Sequence, residues 1–587
     1  MRQRRVVTAL AIPLVLAFVA VSCGSDDSSS DTGTDTGTDT ETTEATTETT
    51  DGSSEPDDTT APAAETTVAE AAAEVAYGGD VIVGLEADVP GLRPWEDVLS
   101  SNSYNMMYGI FDTLLAQTAD GEYEGFLAES ITPNDDFTVW TLTLRPDVTF
   151  HNGDTVTAQT IADMFPIQQE GANSSGQVAA AKLVGVSAVD ELTVEYTLSE
   201  TNSAFPAVLA GGGLGMVFEP KAAAADPAGF SLEPIGTGAF TIQSRDIDNE
   251  TVIVRNPDYW RTDKDGNQLP YLDSVSFRPI PDEGNRLDAL ISGTTNAMIT
   301  LRQGTIRDAL EESGLNFYQF QGSNIGGGYF NTFKPPFDDQ RVRVGLVTLT
   351  YQDQLIKALG GEGISEAGTQ WVSADSPWWS EEVAASYPSF DFQKGKDLLQ
   401  EYIDDPARSD GKGAGEKIDV TLSCPPDPSL IAYAQVIEAT WSGSELVNVN
   451  LTSFDQSTHI NMAINDEHDA HCWRMSGEGD PSGYLNPAVA DPAASPVNFS
   501  NYSDPELVEW ANEAGLTDDF ETRKELFGKI NQRWNEQGIF WYAGQTATLV
   551  ATDDNIEGLD SWTLPDGTLG LGTPNAEARW ADAYIAQ

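Results

Sequence analysis

The sequence predicts a mixed α/β fold, and three observations predict it. Short strands with period-two alternation appear early, capped helices with a 3.6-residue period appear late, and the two kinds are interspersed rather than segregated. At roughly 150 residues per domain, the 587-residue chain allows about three or four domain-sized units. Gly78-Gly79-Asp80 leads into Val81-Ile82-Val83, a strand by composition. Trp140, Leu142 and Leu144 alternate with Thr141 and Thr143, which predicts a half-buried strand. Residues 186–189, a turn at Asp190-Glu191, and residues 193–198 read as a hairpin. Late in the chain, Ser503-Asp504-Pro505-Glu506 has the form of a capping box with proline in the first turn. Leu507, Trp510, Ala511 and Ala514 then fall on one helix face. A second helix is predicted from Asp519, with Phe520, Phe527, Ile530 and Trp534 inward and Gly538 as its stop.

Composition narrows the function. The chain carries 93 Asp+Glu against 30 Lys+Arg, a formal charge of −63. Nucleic acid and polybasic lipid recognition both need clustered cations, so both are excluded. Four histidines and three cysteines are too few for a His/Cys-rich metal protein or a disulfide scaffold. The excess acid is most simply a solubility feature. Residues 24–76 hold no aromatic residue, Lys or Arg but fifteen acids among Ser, Thr, Gly and Ala, so they read as a disordered acidic tether. Without those acids and the three leader arginines, the body still carries −51.

Arg2, Arg4 and Arg5 precede an apolar run over residues 6–21, too short to span a membrane and of signal-peptide length. Ala20-Val21-Ser22-Cys23 resembles the bacterial lipobox, with Ala20 where that motif usually has Leu. The resemblance implies a signal peptide over residues 1–22, lipidation of Cys23 and a lipid-anchored place on the extracytoplasmic face of the bacterial cell membrane. The Arg4-Arg5 pair does not choose between the two export routes.

The body carries an ordered series of motifs. It runs Ile110-Phe111-Asp112-Thr113-Leu114-Leu115, Leu127-Ala128-Glu129-Ser130, residues 140–145 and Val148-Thr149-Phe150-His151-Asn152-Gly153. Then come Ile235-Gly236-Thr237-Gly238-Ala239-Phe240, Arg255-Asn256-Pro257-Asp258-Tyr259-Trp260, Pro270-Tyr271-Leu272-Asp273, Tyr329-Phe330-Asn331 and Pro336-Phe337-Asp338-Asp339-Gln340-Arg341-Val342-Arg343. In this order and spacing the body resembles the family 5 extracellular solute-binding proteins of ABC importers, the dipeptide- and oligopeptide-binding type. The motifs themselves read as structural. Gly236 and Gly238 are expected to supply backbone angles closed to other residues. Asn256, Pro257 and Asp258 are turn formers that aim Tyr259 and Trp260 into a core.

The resemblance implies a periplasmic-binding-protein-like type II fold, with two large lobes on a hinge, a smaller inserted lobe and a cleft between lobes. Its expected parts are lobe I from residues 77–108 and 230–325, inserted lobe II from 109–229, lobe III from 326–550, and a return to lobe I over 551–587. It also implies a small solute, most often a peptide, delivered to an ABC permease and its ATPase by a monomer that needs no cofactor or catalytic residue. Relatives bring a strand ending in Gly-Trp to the cleft, and here the counterpart is residues 471–481, with Trp473, Arg474 and Glu478 as candidate ligand contacts. The carboxylate that pairs with a peptide's amine would fall at Ser476 or Gly477, neither of them acidic. Either Glu478 substitutes in a loop one residue longer, or that pair is absent. Trp95, Glu96, Tyr104, Asn105, Gln370 and Trp371 fall where relatives line the cleft.

Other chemistry has no motif behind it. His468 and His471 sit three apart in what reads as a strand, where such residues face opposite sides, so they are not expected to share a metal. Residues 263–267 faintly resemble a calcium loop but lack its sixth-position glycine and twelfth-position glutamate. Carbohydrate or another small molecule in the same fold, a sensory lipoprotein, and a secreted carboxylate-dependent hydrolase stand as alternatives. Cys424 and Cys472 end the first and third of three successive strands. Strands so ordered commonly lie side by side in α/β runs, so the pair is a candidate disulfide in an oxidising compartment.

Overall fold

A computed structural model describes residues 77–586, apart from 427, 455, 477, 478, 494 and 496. The chain divides into two units, residues 1–72 and 73–587, and the described residues all belong to the second. The signal peptide, Cys23 and the tether lie outside the described residues, as does Glu478.

One ten-stranded sheet organises the body. Its strands are β1 (Asp80–Leu85), β2 (Phe240–Asp246), β3 (Glu250–Arg255), β4 (Ser274–Pro279), β5 (Ala297–Thr300), β6 (Leu315–Phe330), β7 (Ile418–Cys424), β8 (Val447–Ser453), β9 (Ala470–Ser476) and β10 (Phe540–Asp553). Their spatial order is β8-β7-β9-β6-β10-β5-β1-β4-β3-β2. β6 and β10, 16 and 14 residues long, pair antiparallel at the centre. The other strands flank them as two wings.

Each wing has its own apolar core. Val81, Val83, Leu85, Ile253, Val275 and Phe277 belong to one, and so do Tyr318 of β6 and Val550 of β10. Val420, Leu422, Cys472 and Met475 belong to the other, with Ile325, Tyr329 and Phe330 of β6 and residues 540–543 of β10. The central pair therefore passes from one core into the next. Its register breaks between Gln321 and Asn324 and again between Ile325 and Gly327, at the point of transfer. Gly327 and Gly328 are required there by close approach. A Cβ on Gly327 would lie 2.0 Å from the Trp541 carbonyl oxygen, and one on Gly328 would lie 2.1 Å from the Trp541 ring.

A second, four-stranded antiparallel sheet is inserted between β1 and β2. Its order is Ala128–Pro133, Val139–Leu144, Thr193–Leu198 and Leu183–Ala188, and the last two form the expected hairpin. Trp140, Leu142 and Leu144 all face inward. The helices that bear on the site are α1 (Ser101–Ile110), α2 (Pro428–Ser442), α3 (Gln456–Ile464), α4 (Pro505–Ala514) and α5 (Phe520–Gln537). Among the described residues, no helix is long and apolar enough to cross a membrane.

Two local expectations are corrected. α4 is capped by Asp504, which accepts from the Glu506 amide at 3.0 Å, and not by a Ser503–Glu506 box. Arg533 on α5 takes the Glu506 carboxylate at 2.8 Å and also grips Asp504, so Glu506 does not fold back. Gly236 and Gly238 do not have positive φ. They are small because a Cβ would lie 2.1 Å from the Ile110 oxygen and 2.5 Å from the Gly109 oxygen, respectively. Gly538, by contrast, ends α5 at φ 60°, the left-handed stop that the sequence predicts.

The motif residues tie distant segments together. Asp112 is buried and accepts from Tyr259 Oη at 2.9 Å and Trp260 Nε1 at 2.8 Å. Burial pushes its carboxyl above the usual range, against the pull of those donors and of Arg261. Arg261 in turn grips Asp582 near the C-terminus through two hydrogen bonds of 2.7 and 2.8 Å. Replacing Asp112 by Ala leaves two buried donors unpaired. The expected loss is about 2–4 kcal/mol of unfolding free energy, read by denaturant titration, and a change below about 0.5 kcal/mol would contradict this role.

Candidate functional site

The site is built from β9 outward. Successive side chains on a strand point to opposite faces. His471, Trp473 and Met475 form one row, and Cys472 and Arg474 occupy the other. β9 lies between β7 and β6, with Trp473 opposite Gly327 and Arg474 opposite Gly326. A Cβ on Gly326 would meet nothing closer than 3.8 Å, so the sheet face beside the exposed Arg474 is open. Trp473 is partly buried, its ring 4.6 Å from that of Phe499. Met475 receives a hydrogen bond from Tyr329 Oη at 3.2 Å, and the same hydroxyl meets that of Tyr484 at 3.0 Å.

Beyond β9 the chain reaches Asp480, which is held by Arg523 of α5. Two hydrogen bonds of 2.6 and 2.7 Å make the pair bidentate, and the guanidinium lies over the rings of Trp378 and Phe527 at 5.5 and 5.7 Å. This turn meets the strand Tyr123–Gly125, which belongs with the other core. The Tyr123 hydroxyl lies 3.8 Å from where a Cβ on Gly479 would stand, and the Asp480 backbone faces it. Burial, and next the charge of Asp480, pushes the Tyr123 hydroxyl well above its ordinary pKa. Nearby, Ser203 donates to the carbonyls of Gly515 (N–H, 3.3 Å) and Ala514 (Oγ, 3.0 Å). A Cβ on Gly121 would lie 2.4 Å from Pro377. The two halves thus touch around the end of β9.

The candidate contact residues separate into two groups. Trp473 and Arg474 are adjacent on β9 and lie on its opposite faces. Trp95 is packed in the first core, 4.4 Å from Phe218 and 5.1 Å from Phe230. Glu96 accepts from the Ala172 amide at 3.1 Å. Tyr104 lies on α1 with its ring 5.2 Å from that of Tyr108. Asn105 is fully buried, donates to the carbonyls of Ser101 and Ala576 at 2.8 and 2.7 Å, and accepts from the Ala578 amide at 3.2 Å. Gln370 exchanges hydrogen bonds with the Ser380 backbone, and Trp371 is buried in the second core with its amide on Asn531 Oδ1. Trp95, Asn105, Gln370 and Trp371 are buried and engaged in packing and internal hydrogen bonds.

Cys424 and Cys472 are joined as a disulfide, with Cα atoms 5.0 Å apart. β7 lies directly between β8 and β9, so the first strand of the run neighbours the third. The opposite-face placement of His468 and His471 does not hold, because β9 begins only at Ala470 and leaves His468 in the irregular segment before it. The His468 and His471 rings are therefore 5.0 Å apart rather than on opposite faces, and His459 of α3 stacks on His471 at 3.5 Å. No group of three His, Cys, Asp or Glu among the described residues is arranged to hold a metal ion. Sequence reasoning missed Tyr123, Arg523 and His459. None belongs to a motif, and each reaches the site from a distant element.

Comparison with known proteins completes the description. The model of bacterial extracellular solute-binding proteins, family 5 (middle region), matches residues 122–495. The chain is similar to the dipeptide-binding protein of Escherichia coli, 25% identical over 362 residues that make up 60% of this chain and 64% of that protein, just under two thirds of it. It is also similar to heme-binding protein A of Haemophilus influenzae, 26% identical over 463 residues, 73% of this chain and 80% of that protein. Among solved structures, HbpA2 from Haemophilus parasuis superposes with a TM-score of 0.73 at 20% identity, covering 87% of this chain and all of that one. The fold is that of the type II periplasmic binding proteins.

The disulfide closes a loop with a sequence separation of 48. A Cys424→Ala substitution is expected to cost about 3–4 kcal/mol of stability in denaturant titration, the chain-entropy value for a loop of that size. Peptide mapping that recovers Cys424 and Cys472 as free thiols from the denatured, unreduced protein would overturn this.

Proposed function

The chain belongs to the bacterial extracellular solute-binding proteins of family 5, the binding components of ABC transporters, and on that premise we propose that it captures a small solute in a cleft between its two cores. The supporting observation is β9, which carries Trp473 and Arg474 on its two faces and leads into the Gly479–Asp480 turn that touches the other half. In this reading lobe I comprises residues 77–108, 230–325 and 551–587, lobe II residues 109–229 and lobe III residues 326–550. The register breaks of the central pair, at residues 321–327, are the hinge. Trp473 offers a flat apolar face, Arg474 a cation for a carboxylate or carbonyl, and Glu478 a carboxylate. No covalent step is needed, because affinity comes from burying the solute as the lobes close.

A peptide is the first candidate solute, since similar proteins are named for dipeptides. One observation favours a second reading, a solute without a free α-amino group: Ser476 and Gly477 stand where the amine-pairing carboxylate is expected. In either case the protein works as a monomer that delivers its solute to an ABC permease and its ATPase. It is held to the extracytoplasmic face of the membrane by lipid on Cys23 alone.

Mass spectrometry of solute retained through purification identifies the ligand class. Adding that solute is expected to reduce the radius of gyration in solution scattering. Trp473→Ala is expected to weaken binding at least about tenfold, as removal of a stacking ring does. Tight binding with an unchanged scattering curve and an indifferent Trp473 would sink the cleft assignment.

The anchor has its own test. A Cys23→Ser protein is expected free in the culture medium, whereas membrane partitioning with lipid labelling intact would show the anchor to lie elsewhere.

A further inference from the structure

Three of the four histidines in the chain meet in one place. His459 comes from α3, His471 from β9 and His468 from the irregular segment before it, and they are 2%, 0% and 1% exposed. The His459 and His471 rings stack face to face, 3.5 Å between centroids and 16° between planes. His468 lies 5.0 Å from His471. The stack continues into the candidate site. Trp473 is 5.6 Å from His471 and 6.2 Å from His459, nearly parallel to the latter at 14°.

The hydrogen bonding of this stack is unusual. His459 Nε2 lies 2.9 Å from the Cys472 carbonyl oxygen and so carries the proton. Among the described residues, five ring nitrogens have no hydrogen-bond partner: Nδ1 of His459 and both nitrogens of His468 and His471. The peptide groups of Met462 and Phe499 lie near His468 without completing a hydrogen bond. The charged groups acting on it are Lys334 and Asp466, and both are engaged elsewhere. Lys334 pairs with Asp469 at 3.2 Å, and Asp466 accepts from Asn501 at 2.8 Å. α3 carries no charged residue, and Arg474 points away on the opposite face of β9.

We infer that this stack is an acid-sensitive joint: neutral, it positions Trp473 on β9, and protonated, it must come apart and release that ring. The inference rests on the reading of Trp473 as a solute contact. A second proton on His459 would sit on a buried Nδ1 with no acceptor, in a cation pressed face to face against another imidazole. A second proton on His471 would have no acceptor either. Unpaired buried donors and charges are costly, so the protonated rings favour solvent. Burial accordingly depresses all three pKa values, that of His471 to about 2, where its histidine neighbours add to the effect. The sign follows from linkage. The opened state binds protons first, near the ordinary histidine value of about 6.5, so the closed joint is fully stable above that pH and weakens as pH falls below it.

The test compares the wild type with His471→Phe, which keeps a ring but cannot titrate, and His459→Gln, which keeps a donor for the Cys472 carbonyl. Amide exchange protection of residues 456–476 is measured at pH 7.5 and 5.0, together with trialanine binding. In the wild type, protection of this segment is expected to fall about tenfold per pH unit below the histidine value for each ring that takes up a proton on opening, while the strands around β1 hold theirs. In each variant the fall should be shallower by about tenfold per pH unit, the share of the one ring that no longer titrates. Trialanine affinity should follow the same profiles. Equal acid profiles in all three proteins would overturn the joint. If trialanine binds none of them at either pH, the peptide reading fails while the exchange data still decide the joint.

Discussion

The constraint on which the structure depends is that two cores share one pair of strands. β6 and β10 pair over Leu315–Gln321 with Ala547–Asp553 in one half, and over Asn324–Tyr329 with Phe540–Thr546 in the other. A strand pair continuous through both halves fixes their relation in every direction but one, bending across the sheet. Bulges supply that freedom, because an extra residue relaxes the ladder locally and lets the strand bend. Here the breaks fall between the cores, and Gly322 takes φ 83° beside the first of them, a value that side chains disfavour. Placing the irregularity anywhere else would have softened a core instead of the joint between cores.

Scarce cations serve the same economy of motion. In a chain with 93 acids, a carboxylate finds no counterion by default. Two buried arginines are placed at seams: Arg261 on Asp582 ties the C-terminal segment to the Asp258–Arg261 turn, and Arg523 on Asp480 fixes the turn beyond β9. Both pairs are bidentate, the geometry in which a guanidinium recovers most of its desolvation cost. Removing either partner would leave a buried charge, so these seams are rigid. The remaining acids are mostly solvated and keep the surface repulsive and soluble.

The sequence made the elements legible wherever local periodicity decided them. Trp140, Leu142 and Leu144 fall inward because one face of their strand is buried. α5 runs from its Asp519 cap to Gly538 because each end needs a residue of that kind. What stayed hidden depends on distant partners. Gly236 looks like a turn glycine until Ile110 is seen against it, and Glu506 looks like a capping partner until Arg533 claims it. The site was half legible. Trp473 could be found from its motif, but Trp95 and Trp371 have the same composition as cleft residues and are filled by their own cores. His459, with no motif of its own, becomes meaningful only where α3 lies over β9.

That strand shows how rigidity and response can be separated within seven residues. On one face, Cys472 is tied covalently to β7, and Arg474 is left open beside glycine. On the other, His471, Trp473 and Met475 meet rings and hydroxyls that approach from α3, Phe499, Tyr329 and Tyr484. Alternation along the strand keeps the two faces independent, so the covalent face maintains the register of β9 even when the stacked face loosens. A change of charge in the stack therefore shifts side chains at the strand end without unthreading the sheet. The sheet in turn stays continuous from β9 through β6 to the register breaks that lie between the two cores.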